Sequence, residues 1–281
     1  MTRPIDLLRQ GRKEELWQMC CGFLNLSLEQ FMAIQKRLLL EQIELLKNSE
    51  LGWRVMGGAM PETVEEFREQ VPLTTYSDYL PELVEKREDV LPTKPAIWVH
   101  TVGRAGEYTI KLVPISEGSL HDIERVATGI GLLASCNSQG DFPIIKRVKS
   151  LSVAGSRYYG SGLVGHMMQR AFECQCLPSN VEEMAFQEKL TTGFGEALDK
   201  GIDGLGGLSA ALVYVGEIFR QGVINLDSYF LLSHPRASAR LLKGLIRSKL
   251  AGRPILPKDL WSIKVALGGG TDSAVFRKRA E

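Results

Sequence analysis

The stretch WVHTVGRAGEYTIKLVPIS, Trp98 to Ser116, decides how the rest of the chain is read. Ile97 to His100 and Tyr108 to Val113 have the β-branched and aromatic content of strands. Between them lies Thr101-Val102-Gly103-Arg104-Ala105-Gly106-Glu107, which offers a hydroxyl, a guanidinium and two glycines that accept positive φ. A loop of this kind can turn several backbone N–H groups toward one anion. The same glycines would equally serve an ordinary hairpin turn. It is not a Walker loop, because Lys111 follows Gly106 at a distance and lies inside a strand instead of opening a helix.

Three segments, taken together, carry a family resemblance. Thr101-Val102-Gly103-Arg104-Ala105-Gly106, followed by Lys111-Leu112-Val113-Pro114, resembles the phosphate loop T-[SG]-G-[TS]-[TS]-G-x-P-K of the adenylate-forming enzymes. Upstream, Phe67 to Tyr79 (FREQVPLTTYSDY) is similar to their F-x-x-x-V-P-x-x-T-Y-x-D segment. Downstream, Val265 to Thr271 (VALGGGT) resembles their adenine-contacting turn. Within that superfamily the chain looks most like the auxin-responsive-promoter (Gretchen Hagen) acyl amido synthetases and the phenylacetate-CoA ligases.

The resemblance implies an α/β fold: the amino-terminal part of an adenylate-forming ligase, with a helical lead-in followed by a mixed or parallel sheet flanked by helices. Residues 1–95 would form the lead-in, and 96–281 an incomplete nucleotide- and acyl-binding region. It implies ATP and Mg²⁺ as cofactors, a small carboxylic acid as substrate, and an amine or CoA as acceptor. By residue-wise carry-over, Thr101, Gly103, Arg104, Gly106 and Lys111 would meet the phosphates, and Gly268, Gly269, Gly270 and Thr271 the adenine. Tyr158, Tyr159, Gly160 and Gly162 resemble a segment near the acyl pocket. Val102 stands where serine is usual, Arg104 where threonine is usual, and Lys111 two positions late. The family's Mg²⁺ motif, ribose-binding aspartate and mobile lysine follow the adenine turn, so the expectation is a fragment, a split gene product or a degenerate relative with weak or no activity alone. No residue is assigned to catalysis itself; a non-catalytic scaffold that kept the fold is the alternative.

Composition narrows the partners. With 34 basic and 33 acidic residues the formal net charge is +1, which gives no global field for nucleic acid or an anionic membrane. The odd set Cys20, Cys21, Cys136, Cys174 and Cys176, without a secretory-type leader, reads as reduced thiols in the cytoplasm. Cys174 and Cys176 lack the further ligands of a tetrahedral site, and no H-E-x-x-H occurs, so no metal site is expected. Leu205 to Val215 is apolar but too short for a bilayer core of about 30 Å, and reads as a buried helix.

Local signals fill in the rest. Residues 1–60 read as helical, with Ser27 and Gln30 as a capping box and Phe31, Ile34, Leu38, Leu39, Ile43, Leu45 and Leu46 as a broad apolar stripe. Thr63 caps a short helix ended by Pro72, and Thr74 to Asp78 reads as a cap for the next helix; the family resemblance implies that this segment holds the chain against the phosphate-loop region. Leu120, Ile123, Val126, Ala127 and Ile130 predict a helix behind Ser116, Pro143 to Val153 a strand, and Ile263 to Leu267 a parallel strand. Gly160-Ser161-Gly162-Leu163-Val164-Gly165 matches the dinucleotide fingerprint and leaves a dinucleotide-dependent oxidoreductase as a third reading, provided the glycines form a strand-to-helix turn. From Arg236 to Arg253, cations alternate with leucines in the pattern of a solvated amphipathic helix resting on Leu241, Leu242, Leu245, Ile246 and Leu250.

Overall fold

The computed structural model describes residues 2–102, 108, 110–142, 148–153, 158–178, 184, 186–221, 228–270 and 274–275. In chain order it begins with α1 (Pro4–Gln10), α2 (Lys13–Cys21), α3 (Leu28–Lys47), α4 (Glu50–Val55), α5 (Val64–Gln70) and α6 (Leu80–Val84). Then come β1 (Pro95–Val102), β2 (Ile110–Ser116), α7 (Glu117–Ser135), β3 (Lys149–Val153), α8 (Gly160–Phe172) and β4 (Gln175–Leu177). The remainder is α9 (Phe186–Lys200), β5 (Gly204–Leu208), α10 (Ser209–Arg220), α11 (Ser228–Ser233), α12 (Pro235–Leu250), α13 (Pro257–Leu260) and β6 (Val265–Gly269). The chain divides into two compact units, one of residues 18–122 with 158–160, the other of residues 1–17, 123–157 and 161–281. None of the described helices is long and apolar enough to cross a membrane.

In the unit of residues 18–122, local chemistry sets the element boundaries. The Ser27 hydroxyl accepts from the Gln30 amide and the Gln30 side chain accepts from the Ser27 amide, the reciprocal pair that the sequence predicts at the start of α3. Thr63 accepts from the Glu66 amide at the start of α5. Gly57 and Gly58 turn the chain with φ of 65° and 77°, where a side chain would be strained. The predicted stripe on α3 divides: Ile43 is buried, Leu39 and Leu46 are half-buried, and Phe31, Leu38 and Leu45 are exposed. β1 and β2 pair antiparallel as the hairpin expected from the sequence.

The larger unit is built on a parallel sheet of order β4-β3-β5-β6. The chain moves from β3 to β4 in one direction and from β4 past β3 to β5 and β6 in the other. Right-handed crossovers then place α8 on one face and α9 and α10 on the opposite face. Alternation along the strands gives each face its own residues. Leu151 and Leu177 face the core with Ala197, Leu198, Phe219 and Trp261. Phe194, Phe219 and Trp261 meet edge to face at centroid distances of 5.5, 5.6 and 6.1 Å, and the buried Trp261 indole donates to the Ala197 carbonyl at 2.9 Å. On α7 the buried Glu124 accepts from Arg3, at the start of α1, at 2.6 Å.

Three sequence expectations fail here. Gly204 to Leu208 is a central strand, not the start of a helix through Val215: hydrogen bonds from β3 on one side and β6 on the other outweigh the weak strand preference of glycine. On α7 the inward positions include Ala127, Thr128, Gly131 and Leu132, whereas Val126 and Ile130 are exposed. On α12 the buried residues are Ala237, Gly244 and Ser248, and Leu242, Leu245, Ile246 and Leu250 face solvent. A Cβ at Gly244 would lie 2.6 Å from Leu260 Cδ2 and 2.9 Å from Ile255 Cδ1, so this helix sits on its smallest side chains.

Candidate functional site

The hairpin brings two of the sequence-selected residues together. Thr101 on β1 is the cross-strand partner of Lys111 on β2, which sets the hydroxyl and the ammonium on one face at the neck of the loop. Gly103, Arg104 and Gly106 lie outside the described residues. The pairing of Lys111 with Thr101 follows from the hairpin register, which sequence spacing alone does not show.

A tyrosine from the upstream motif holds this strand. The Tyr76 hydroxyl accepts from the Leu112 amide at 2.8 Å and donates to the Leu112 carbonyl at 3.2 Å. Lys111 Nζ lies 5.4 Å from the centre of the Tyr76 ring, close enough for a cation–π contact, and Tyr108 meets that ring edge-on at 5.4 Å. Tyr76 is itself set by its neighbours. The Asp78 carboxylate accepts from the Thr75 amide at 2.6 Å, and hydrogen bonds from the Thr75 backbone and hydroxyl hold its carboxyl below the usual range. The structural role read from sequence for Thr74 to Asp78 is thus performed mainly by one side chain, Tyr76.

Tyr158 and Tyr159 run beside β1. The His100 amide donates to the Tyr158 carbonyl at 2.5 Å, His100 and Tyr159 form a parallel bridge, and their rings are 5.8 Å apart. His100 Nδ1 is buried with no hydrogen-bond partner among the described residues. Sequence reasoning passed over His100, since a single histidine inside a strand carries no spacing signal. Gly160 and Gly162 lie in the first turn of α8, and Gly165 further along it. The three glycines of the dinucleotide fingerprint are therefore helical and do not form the strand-to-helix turn that reading requires.

In the larger unit, Gly268, Gly269 and Gly270 border a cavity of about 430 Å³ over the sheet face opposite the core. The pairing register puts Ser150, Cys176, Val265 and Leu267 on this face. Ile130 and Gly131 of α7 and Gln169 and Phe172 of α8 complete the wall. The cavity covers this face of the sheet from Val148, Asp203 and Lys264 at the amino ends of β3, β5 and β6 to Gly270 just past the carboxyl end of β6. Glycine keeps its boundaries close. A Cβ at Gly131 would come within 2.5 Å of the Phe172 ring; on the other face of the sheet, one at Gly268 would come within 2.8 Å of Ser209 Oγ of α10. Gly270 has φ of 127°, a backbone conformation open to glycine, and Thr271 lies outside the described residues.

The amino ends of the strands supply the cavity's polar groups. Asp203 accepts from Lys264 at 2.9 Å and from the Lys149 amide at 3.2 Å. Burial works to raise its carboxyl, but the Lys264 and Lys149 hydrogen bonds and their charges prevail and hold it below the usual range. Cys174 is pushed up by a hydrogen bond with Cys176, by burial, and by electrostatic interaction with Cys176 and the nearby Asp203 carboxylate. Its thiol stays protonated at neutral pH, a poor state for a nucleophile or a metal ligand. Among the described residues, no three His, Cys, Asp or Glu side chains converge as a metal site.

A four-stranded parallel sheet flanked by helices defines an α/β fold, with the glycine-bordered cavity on one of its faces and the Thr101–Lys111 pair in the other unit. A sequence model of the GH3 family N-terminal domain matches residues 20–176, more than half of the 281-residue chain. The chain belongs to this family, the Gretchen Hagen 3 acyl amido synthetases of the adenylate-forming superfamily, and matches its amino-terminal portion. No curated protein matches the chain.

Proposed function

We propose that this chain supplies nucleotide- and acyl-holding residues of an ATP-dependent ligase that activates a carboxylic acid as its acyl adenylate and passes the acyl group to an amine or CoA. In the activating step a carboxylate oxygen attacks the α-phosphorus of ATP, the new O–P bond forms, and the bond to the bridging oxygen breaks as pyrophosphate leaves. The protein's task in that step is to offset charge and to orient. Thr101 would donate its hydroxyl to the phosphates, Gly103 and Gly106 would let backbone N–H groups approach them, and Arg104 and Lys111 would contribute positive charge. Gly268, Gly269, Gly270 and Thr271 would accommodate adenine, and Tyr158, Tyr159, Gly160 and Gly162 the acid. Mg²⁺ would enter with the triphosphate.

The observation that carries this reading is the register that sets Thr101 opposite Lys111, inside the span matched by the family. Val102 offers no hydroxyl where the motif has one, so ATP affinity should be modest. The test is equilibrium dialysis with labelled ATP and Mg²⁺, alongside ATP–pyrophosphate exchange with a panel of carboxylic acids. Losing one charge-assisted contact should weaken ATP binding about tenfold in Lys111→Met, and Thr101→Ala should weaken it less. ATP binding without exchange would leave a nucleotide-binding module. Absence of ATP binding would leave a scaffold and refute the proposal.

A further inference from the structure

The exposed side of α12 carries a feature that adenylation does not use. Arg236, Arg240, Lys243 and Arg247 recur at spacings of four, three and four residues, which lines them along one stripe of the helix. At about 1.5 Å per residue the row is roughly 16 Å long. It borders a cleft of about 780 Å³ whose other wall is Lys258 to Ile263. The helix contains no acidic residue. Asp259 borders the cleft, but its carboxylate is already engaged by both terminal nitrogens of Arg253 at 2.7 and 2.9 Å. The Asp199 charge also acts on Arg240.

We propose that this cleft is a binding site for a soluble, extended polyphosphate anion, separate from the nucleotide site. Arg240 and Arg247 are set in place by backbone carbonyls. Arg240 donates to the Asp199 carbonyl at 3.2 Å and lies against Gly201, and Arg247 donates to the Asp259 carbonyl at 3.4 Å. Their positive charges are not cancelled by these contacts, and a guanidinium fork matches phosphate oxygens. Burial lowers the basicity of Arg240 despite the nearby Asp199 charge, which marks a cation that gains by acquiring an anion. Helix stability alone would place acids in the first turn of α12, where the helix dipole is positive, but Arg236 stands there and no acid does. One phosphate would engage only part of the row, whereas a chain of phosphates can use its length.

The test is calorimetric titration of the whole chain with inorganic tripolyphosphate at low salt, repeated in a Thr101→Ala/Lys111→Met chain to remove the proposed nucleotide contacts. Saturable binding is expected in both. Arg240→Gln/Arg247→Gln should weaken it at least about tenfold. Lys243→Gln, at an exposed position, should weaken it as well, with folding of every variant verified by circular dichroism. Lys249→Gln, on the same helix but outside the cleft, should bind as the parent does. Added salt should weaken binding through screening. Absence of saturable binding, binding lost in the Thr101→Ala/Lys111→Met chain, or equal weakening by Lys249→Gln would overturn the proposal. So would capture by phosphatidylserine vesicles that tripolyphosphate fails to compete away.

Discussion

Replacing Asp259 by asparagine tests how the corner between α12 and α13 is held. The carboxylate accepts from Arg253 Nη1 at 2.7 Å, Arg253 Nη2 at 2.9 Å and the Leu256 amide at 2.8 Å, and its side chain is 6% exposed. The Arg253 hydrogen bonds, against the opposing effect of burial and with help from the Leu256 amide and the charges of Arg253 and Lys258, lower the carboxyl from its ordinary 3.8 to about 2. At about 1.4 kcal/mol per tenfold change in proton affinity, this is worth roughly 2 kcal/mol of folding free energy. Because the folded-state value lies below the unfolded one, the contribution is complete above about pH 4 and is lost as pH falls through about 2. Asp259→Asn should therefore lower stability by about 2 kcal/mol at neutral pH, a fall in Tm of roughly 5 °C. The gap between parent and variant should close on acidification. Urea unfolding followed by tryptophan fluorescence at stepped pH measures both. A gap that stays constant from neutral pH to about pH 2 would refute the assignment.

Two further substitutions probe the two units. Gly268→Ala places a Cβ 2.8 Å from Ser209 Oγ, which itself donates to the Gly269 carbonyl at 3.3 Å, so a loss of about 1–2 kcal/mol is expected. Adding Ser209→Ala should restore most of it in a thermal melt, and failure to do so would show that the close approach is not the cause. Tyr76→Phe removes the hydroxyl that both accepts from and donates to Leu112, and should speed hydrogen exchange at the Leu112 amide about tenfold. Unchanged protection would mean the hairpin does not depend on this tyrosine.

The elements legible in the sequence are those whose cause lies within a few residues. The Ser27–Gln30 box and the Thr63 cap each join neighbours in the chain. The hairpin strands and β6 were legible for the same reason, through runs of β-branched, aromatic and apolar residues, although β2 and β6 run Ile110–Ser116 and Val265–Gly269 instead of the expected Tyr108–Val113 and Ile263–Leu267. Family membership was legible because three motifs occur in order along the chain.

What lay beyond reach depends on partners distant in sequence. Gly204 to Leu208 has little strand character of its own and becomes β5 because β3 and β6 satisfy its backbone on both sides. The setting of Lys111 opposite Thr101 follows from the hairpin's pairing, not from the spacing of its motif. In α12, periodicity correctly gives a helix but not its orientation, since of the five apolar residues Leu241, Leu242, Leu245, Ile246 and Leu250 only Leu241 packs against the core. Close approach to Ile255 and Leu260 selects Gly244 for the inside, and hydrophobicity does not override that steric limit. The sequence by itself thus determined the helical caps, the hairpin and the lineage, because local backbone preference and motif order are written in adjacent residues. Only the tertiary structure decided the central strand, the cavity face and the exposed cationic row, because these are set by which surfaces can approach one another closely enough to pack.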